Sequence, residues 1–193
     1  MSDIKTVLDE TPFQTAGPFL HIGCLPNAIN IEGIFDTDLG VKPFANKDYD
    51  KFITITGSVF DGDGKALDDI MLESWQSDEN GVYSPECGFA RFVPDSLTKK
   101  FNLYTLKPGF MNNIDGKAQS PHILLSISSR GLNMTLNTRI YFEGDDLTSD
   151  PLLSTVRNSR NDVSSLVAKK IDEDIFLFDI FLQGDKETIF LDI

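Results

Sequence analysis

In a β-strand, residues i and i+2 point to the same side, so two histidines at that spacing could grip one metal ion. The run Ser120-Pro-His-Ile-Leu-Leu125 supplies only one of them: His122 is followed two places on by Leu124, whose side chain cannot ligate anything. The chain holds 2 histidines, and the other, His21, lies in a different region, so any mononuclear metal site is poor in imidazole. Tyr83 is a second candidate donor, placed after the Asn80-Gly81 turn and near Trp75. A phenolate is a hard anionic oxygen suited to ferric ion, which would lower the phenol's pKa on binding. Taken alone, a tyrosine is more often a buried ring with a hydrogen-bonded hydroxyl. A lone strand histidine is more often satisfied by a carbonyl or carboxylate, and the apolar Leu124 strengthens that reading of His122.

Two arginines come next. Arg130 ends the His122 strand in Ser128-Ser-Arg-Gly131, and Arg139 lies on the following strand in Asn137-Thr-Arg-Ile-Tyr141. A guanidinium recognises carboxylates bidentately, so either could hold an acidic ligand or partner group. A surface or interface salt bridge is at least as common a role for each. Asp61 and Asp63 open a calcium-like Asp-x-Asp-Gly run, but Lys65 and Leu72 stand where the loop's fifth and twelfth ligands are needed. The run reads as a hairpin turn. Cys24 and Cys87 match no zinc or redox spacing, and free thiols are the simpler expectation. No Gly-x-Ser-x-Gly turn marks a nucleophile.

These side chains need strands to hold them. Phe52–Phe60 alternates apolar Ile53, Ile55 and Val59 with Thr54 and Thr56, and Ile70–Gln76 follows the Asp61-Gly-Asp-Gly64 turn. Further strands are expected at Phe101–Leu106, His122–Ser129, Thr135–Phe142, Ile175–Gln183 and Thr188–Leu191, with a short helix near 151–160 after Asp150. Many short strands between turns predict an all-β fold, an antiparallel β-sandwich. Residues 1–50 are broken by Pro12, Pro18, Pro26 and Pro43 and read as an extended arm that wraps the core or reaches a partner, with the sandwich over 51–193 in one domain overall.

The 193 residues suffice for one sizeable core. A net charge of −13, from 30 acidic against 17 basic residues, argues against nucleic acid and against anionic membrane. It also means that an anionic ligand would need a local arginine. No apolar run approaches the roughly 18 residues of a membrane span, and the charged N-terminus lacks the pattern of a signal peptide, so a cytoplasmic protein is expected.

Eight elements in order resemble the intradiol ring-cleaving dioxygenases: Thr11-Pro-Phe-Gln-Thr-Ala-Gly-Pro18, Gly57-Ser-Val-Phe-Asp-Gly62, Glu73-Ser-Trp-Gln76, Gly81-Val-Tyr83, Lys107-Pro-Gly109, Pro121-His122, Thr138-Arg-Ile-Tyr-Phe142 and Phe178-Asp-Ile-Phe-Leu-Gln-Gly184. Ser84–Asn102 and Asn27–Lys51 lack clear matches. The resemblance implies that catalytic members bind ferric iron through two tyrosines and two histidines. The first of each falls on Tyr83 and His122, and the second of each falls on Met111 and Leu124. The chain therefore resembles the family's iron-free, alpha-type members, which bind no metal and have no catalytic residues of their own.

Such members pair with a homologous, iron-bearing beta subunit that holds Fe(III) and cleaves protocatechuate, a small aromatic acid, with O2 to 3-carboxy-cis,cis-muconate. Their arm and one arginine line the partner's cavity, features that map to Thr15, Gly17, Pro18 and Arg130. Two other readings stay open: a stand-alone β-sandwich that binds an aromatic acid or self-assembles, and an autonomous enzyme with a reorganised site using Tyr83, His122 and His21.

Overall fold

A computed structural model of the chain describes residues 14–17, 19–44, 52–84, 88–112, 116–160 and 162–192. Pro18 and Cys87, both singled out above, lie outside them. In chain order the elements are α1 (Phe19–Cys24), β1 (Phe52–Gly57), β2 (Val59–Phe60), β3 (Ala66–Leu67), β4 (Ile70–Trp75), β5 (Phe89–Phe92), β6 (Phe101–Leu106), β7 (Met111–Asn112), β8 (Ala118–Gln119), β9 (Ile123–Ser129), β10 (Leu136–Phe142), α2 (Pro151–Arg160), β11 (Val167–Asp172), β12 (Ile175–Leu177) and β13 (Ile180–Phe181). The expected all-β fold is observed. The described part of the arm carries α1 and a 3-10 turn at Asn27–Ile29, so it is helical in places and not wholly extended.

An eight-stranded sheet runs β5-β4-β9-β10-β11-β12-β1-β6, beside a three-stranded sheet β13-β2-β3 and the hairpin β7-β8. The Phe92 and Phe101 rings meet at 5.7 Å and bring the two edges of the large sheet together, so it curls into a near-barrel. Most neighbours are antiparallel, but β1 with β12, β10 with β11, and β2 with β13 run parallel. The β10–β11 pair is joined through α2, since parallel neighbours cannot be closed by a tight hairpin.

Two expected long strands each break in two, for one shared reason. Phe52–Phe60 splits at Ser58 and Ile175–Gln183 splits at Phe178-Asp179, where both chains leave the large sheet for the small one together. The Ser58 amide donates to Asp179 Oδ1 at 3.0 Å, and the Ile180 amide donates to the Ser58 carbonyl at 2.9 Å. Gly57 is required at this crossing, because a Cβ there would lie 1.9 Å from the Phe178 carbonyl oxygen. Thr188–Leu191 forms no strand beyond an isolated bridge from Leu191 to Asn137.

The alternation read from sequence places the core. Ile53 and Ile55 of β1, Leu103 of β6, and Ile123, Leu125 and Ile127 of β9 point inward and are buried. A second cluster of Tyr141, Leu153, Val156, Leu166 and Ile189 seats α2 on β10. Asp150, fully buried, fixes that seat. Its Oδ1 accepts from the Leu152 and Leu153 amides at 3.0 Å, capping α2, and from the Tyr141 hydroxyl at 3.3 Å. Its Oδ2 accepts from the Ser120 amide at 3.0 Å. Losing a cap and leaving buried donors unpaired costs about 2–4 kcal/mol. Asp150→Ala is therefore expected to lower the midpoint of thermal unfolding by roughly 5–15 °C; a shift of a degree or less would show that α2 is held by packing alone.

Candidate functional site

Strand β9 is hydrogen-bonded on both sides, to β4 and to β10, and its pleat sorts its side chains. While Ile123, Leu125 and Ile127 enter the core, Leu124, Ser126 and Ser128 face outward. Register across β5, β4, β9 and β10 makes a row of Phe89, Trp75, Leu124 and Arg139, and beside it a row of Arg91, Glu73, Ser126 and Asn137. The two rows floor a groove of about 420 Å³. Arg91, at the end of the second row, donates to Glu73 Oε1 through Nε at 2.8 Å and Nη2 at 2.6 Å.

Tyr83 and Met111 reach this end of the sheet on two loops that grip each other. Buried Gln76, just past β4, donates to the Leu106 carbonyl at the end of β6 at 2.8 Å and accepts from Thr105 Oγ1 at 2.8 Å. The Asp78 carbonyl then accepts from both Gly81 and Gly109. Gly81 has φ +77, and a Cβ there would lie 2.0 Å from the Phe110 carbonyl, so only glycine lets the loops approach so closely. Tyr83 stacks on Trp75 with ring centroids 5.8 Å apart. Burial pushes its phenol above the usual range, partly opposed by the nearby charge of Arg139.

His122 is buried just before β9. Its Nδ1 donates to the Ser120 carbonyl at 2.8 Å, and its ring lies 5.7 Å from that of Tyr141. Arg139 Nη1 donates to Gln119 Oε1 at 3.0 Å and to the Tyr141 hydroxyl at 3.3 Å, while its buried Nε has no partner among the described residues. The four positions that the family resemblance maps to metal ligands thus share one region, as do the elements that carry them. Their donor set does not fit a ferric ion. Leu124 offers no donor and Met111 offers only a soft thioether, so two of the four mapped positions lack a hard ligand. Among the described residues, no group of three or more His, Cys, Asp or Glu gathers in one place.

His21, the third donor in the autonomous-enzyme reading, sits elsewhere. It is buried on α1, with Nδ1 3.8 Å from Asp69 Oδ1 and Nε2 unpartnered among the described residues. The same carboxylate meets Arg130, whose Nε lies 3.1 Å from Asp69 Oδ2 while the side chain stays 76% exposed. Thr15 joins this second cluster: its Oγ1 accepts from the Gly131 amide at 2.7 Å and donates to the Ser129 carbonyl at 3.4 Å. Gly17 is exposed next to it in the chain, and its carbonyl accepts from the Leu20 amide. Thr15 and Arg130 are therefore brought together. They stand at the far end of β9, six residues from Leu124, which at strand rise is roughly 20 Å away.

Sequence reasoning did not find the partners of Arg139, nor Asp69 as an organising carboxylate, and it read Asp150 as a helix start but not as the partner of Tyr141 and Ser120. The hairpin between β9 and β10 was the available signal for Arg139, since its register sets Leu124 opposite.

Comparison with known proteins yields a family and a fold. Residues 30–184 match the model of the family described as Dioxygenase. The chain is 36% identical to the protocatechuate 3,4-dioxygenase alpha chain of Pseudomonas putida, over 96% of this chain and 98% of that one. It is 31% identical to the alpha chain of the same name from Burkholderia cepacia, over 97% and 100%. Among solved structures, the dioxygenase domain of a dioxygenase carbohydrate-binding protein fusion from Streptomyces sp. SirexAA-E superimposes with a TM-score of 0.57 at 21% identity, over 91% of this chain and 99% of that one.

The neutral, buried state of His122 makes a testable prediction. Burial first, and the charge of Arg139 second, hold its pKa down to about 4, against the opposing pull of the Ser120 carbonyl and Asp150. The unfolded ring takes up its proton near pH 6.5, well before the folded one. The stability this residue contributes is thus complete above pH ~6.5 and is lost as pH falls through 4. Between pH 7 and 4.5 the parent chain should lose about 2–3 kcal/mol more in urea unfolding than His122→Gln does. Equal losses would mean that the ring titrates normally in the fold.

Proposed function

This chain belongs to the dioxygenase family matched above, and we propose that it is the iron-free alpha-type subunit of a two-chain protocatechuate 3,4-dioxygenase. The observation that carries the reading is the roughly 20 Å along β9 between the Thr15–Arg130 cluster and the chain's own degenerate ligand positions. That separation supports a Thr15–Arg130 cluster that serves a site on another chain and not one at Tyr83 and His122.

In this reading residues 1–50 act as the arm, residues 51–193 as the sandwich, and the partner is a homologous beta subunit carrying the metal. Ferric iron held there supplies the activation of the catechol towards O2. This chain's own residues position and balance charge. Asp69 occupies one side of the Arg130 guanidinium, leaving exposed donors for a carboxylate. Protocatechuate carries one carboxylate and 3-carboxy-cis,cis-muconate carries three, so the demand for a cation rises through the reaction. On a chain of net charge −13 that cation has to be local. Thr15 fixes the arm to the turn that holds Arg130, while Gly17 and Pro18 are proposed to form the adjoining wall. No helix among the described residues is long and apolar enough to cross a membrane, and we place the assembled enzyme in the cytoplasm.

The second reading, a stand-alone sandwich that binds an aromatic acid or self-assembles, draws on the groove above Trp75, Leu124 and Arg139. Co-expression separates the two. Iron, the phenolate-to-iron colour and protocatechuate cleavage are expected only when this chain co-purifies with a beta-type chain. A chain that ignores every beta-type partner while binding an aromatic acid alone would favour the second reading. In the complex, Arg130→Ala should lower kcat/KM for protocatechuate by roughly tenfold to a hundredfold, the worth of one charged hydrogen bond, with the partner's iron content unchanged. Unaltered kinetics would remove Arg130 from the cavity.

A further inference from the structure

The lost ligands are half of the account of why the degenerate site holds no metal. Arg139 is connected to each of the four mapped positions. Leu124 lies directly opposite it across β9 and β10. Met111 lies opposite Gln119 in the β7–β8 hairpin, and Gln119 accepts from Arg139 Nη1. His122 packs against Tyr141, whose hydroxyl accepts from the same nitrogen. Tyr83 stacks on Trp75, the other cross-strand neighbour of Leu124. The guanidinium's charge is felt at Tyr83, His122 and Tyr141 alike.

A guanidinium keeps its charge at any physiological pH and has no lone pair to offer a metal. Its Nε is buried and unpartnered, and among the described residues no carboxylate is bonded to it directly. The nearest acidic group in its network, Asp150, is reached only through the Tyr141 hydroxyl.

We propose that Arg139 is the resident cation of the degenerate site, filling with a fixed positive charge the region between Tyr83, Met111, His122 and Leu124, so that the chain excludes a multivalent metal even when the missing ligands are supplied. The inference rests on the mapping of those four positions and not on the partner, so its test uses this chain alone and leaves the co-purification result standing either way.

The test restores the ligands in the full chain with Met111→Tyr and Leu124→His, with and without Arg139→Gln, and reads bound iron and the phenolate-to-iron absorption. Folding is checked by circular dichroism. The double variant is expected to stay iron-free and colourless, and the triple variant to take up ferric iron with a gain in affinity of roughly a hundredfold or more, since like charges a few Å apart repel strongly in a half-buried site. Arg139→Lys in the same background, which keeps the charge, should stay iron-free. Stoichiometric iron in the double variant would overturn the proposal, as would a folded triple variant that remains iron-free. Should the triple variant fail to fold, Leu124→His with Arg139→Gln supplies three donors to be titrated with Co2+. A visible Co2+ spectrum only when Arg139 is replaced supports the proposal, and equal binding with Arg139 present overturns it.

Discussion

The pleat of β9 organises this molecule. Hydrogen bonds to β4 on one side and β10 on the other fix its register twice over, and a slip of one residue would turn Leu124 into the core and Leu125 out of it. With the register fixed, the strand delivers a core face of Ile123, Leu125 and Ile127 and an outer face of Leu124, Ser126 and Ser128. Its two ends hold different chemistry. His122 begins one end, among Tyr141, Asp150 and the loops carrying Tyr83 and Met111. Ser129 ends the other, where Thr15, Arg130, Asp69 and His21 collect.

Electrostatics follows from that placement. At the His122 end, burial alone would penalise any charge, and the residents adapt: the imidazole is neutral, the Tyr83 phenol is held protonated, and Asp150 is saturated by a helix cap, an amide and a hydroxyl. The guanidinium of Arg139 is the cation there, linked to the Asp150 carboxylate through the Tyr141 hydroxyl. At the Ser129 end the opposite condition holds. Arg130 is exposed and shares Asp69 with His21, so its remaining donors face outward. One end is closed around an internal cation, and the other presents a cation outward.

Much of this was legible in the residues. The strand expected at Phe101–Leu106 matches β6 and the one at Ile70–Gln76 overruns β4 by a residue, whereas Phe52–Phe60 runs past the end of β1 into β2. Asp150 announced α2 by its chemistry as a cap. Strand β11 escaped notice because Lys169, Lys170 and Asp172 leave it little apolar periodicity, its pairing being set by neighbours far away in sequence. The sheet switch at Ser58 and Asp179 was hidden for the same reason, since it depends on a contact 121 residues apart. In the site, His122 and the missing donor at Leu124 were readable from strand spacing, whereas the role of Tyr83 and the loss at Met111 were readable only through resemblance. The latch from Thr15 to Gly131 spans 116 residues and has no local signature. Arg139 was visible as a residue but not as a neighbour of Leu124, because that needs the hairpin's register as well as its existence.

Where iron sits relative to this chain is the decisive question. Crystals of the complex co-purified with a beta-type chain, measured with X-rays tuned to the iron edge, would locate it directly by anomalous scattering. The account predicts a single iron peak per pair, ligated by the partner and bordered by Thr15, Gly17 and Arg130 of this chain, with none at the Arg139 cluster. A peak between Tyr83 and His122 would contradict it.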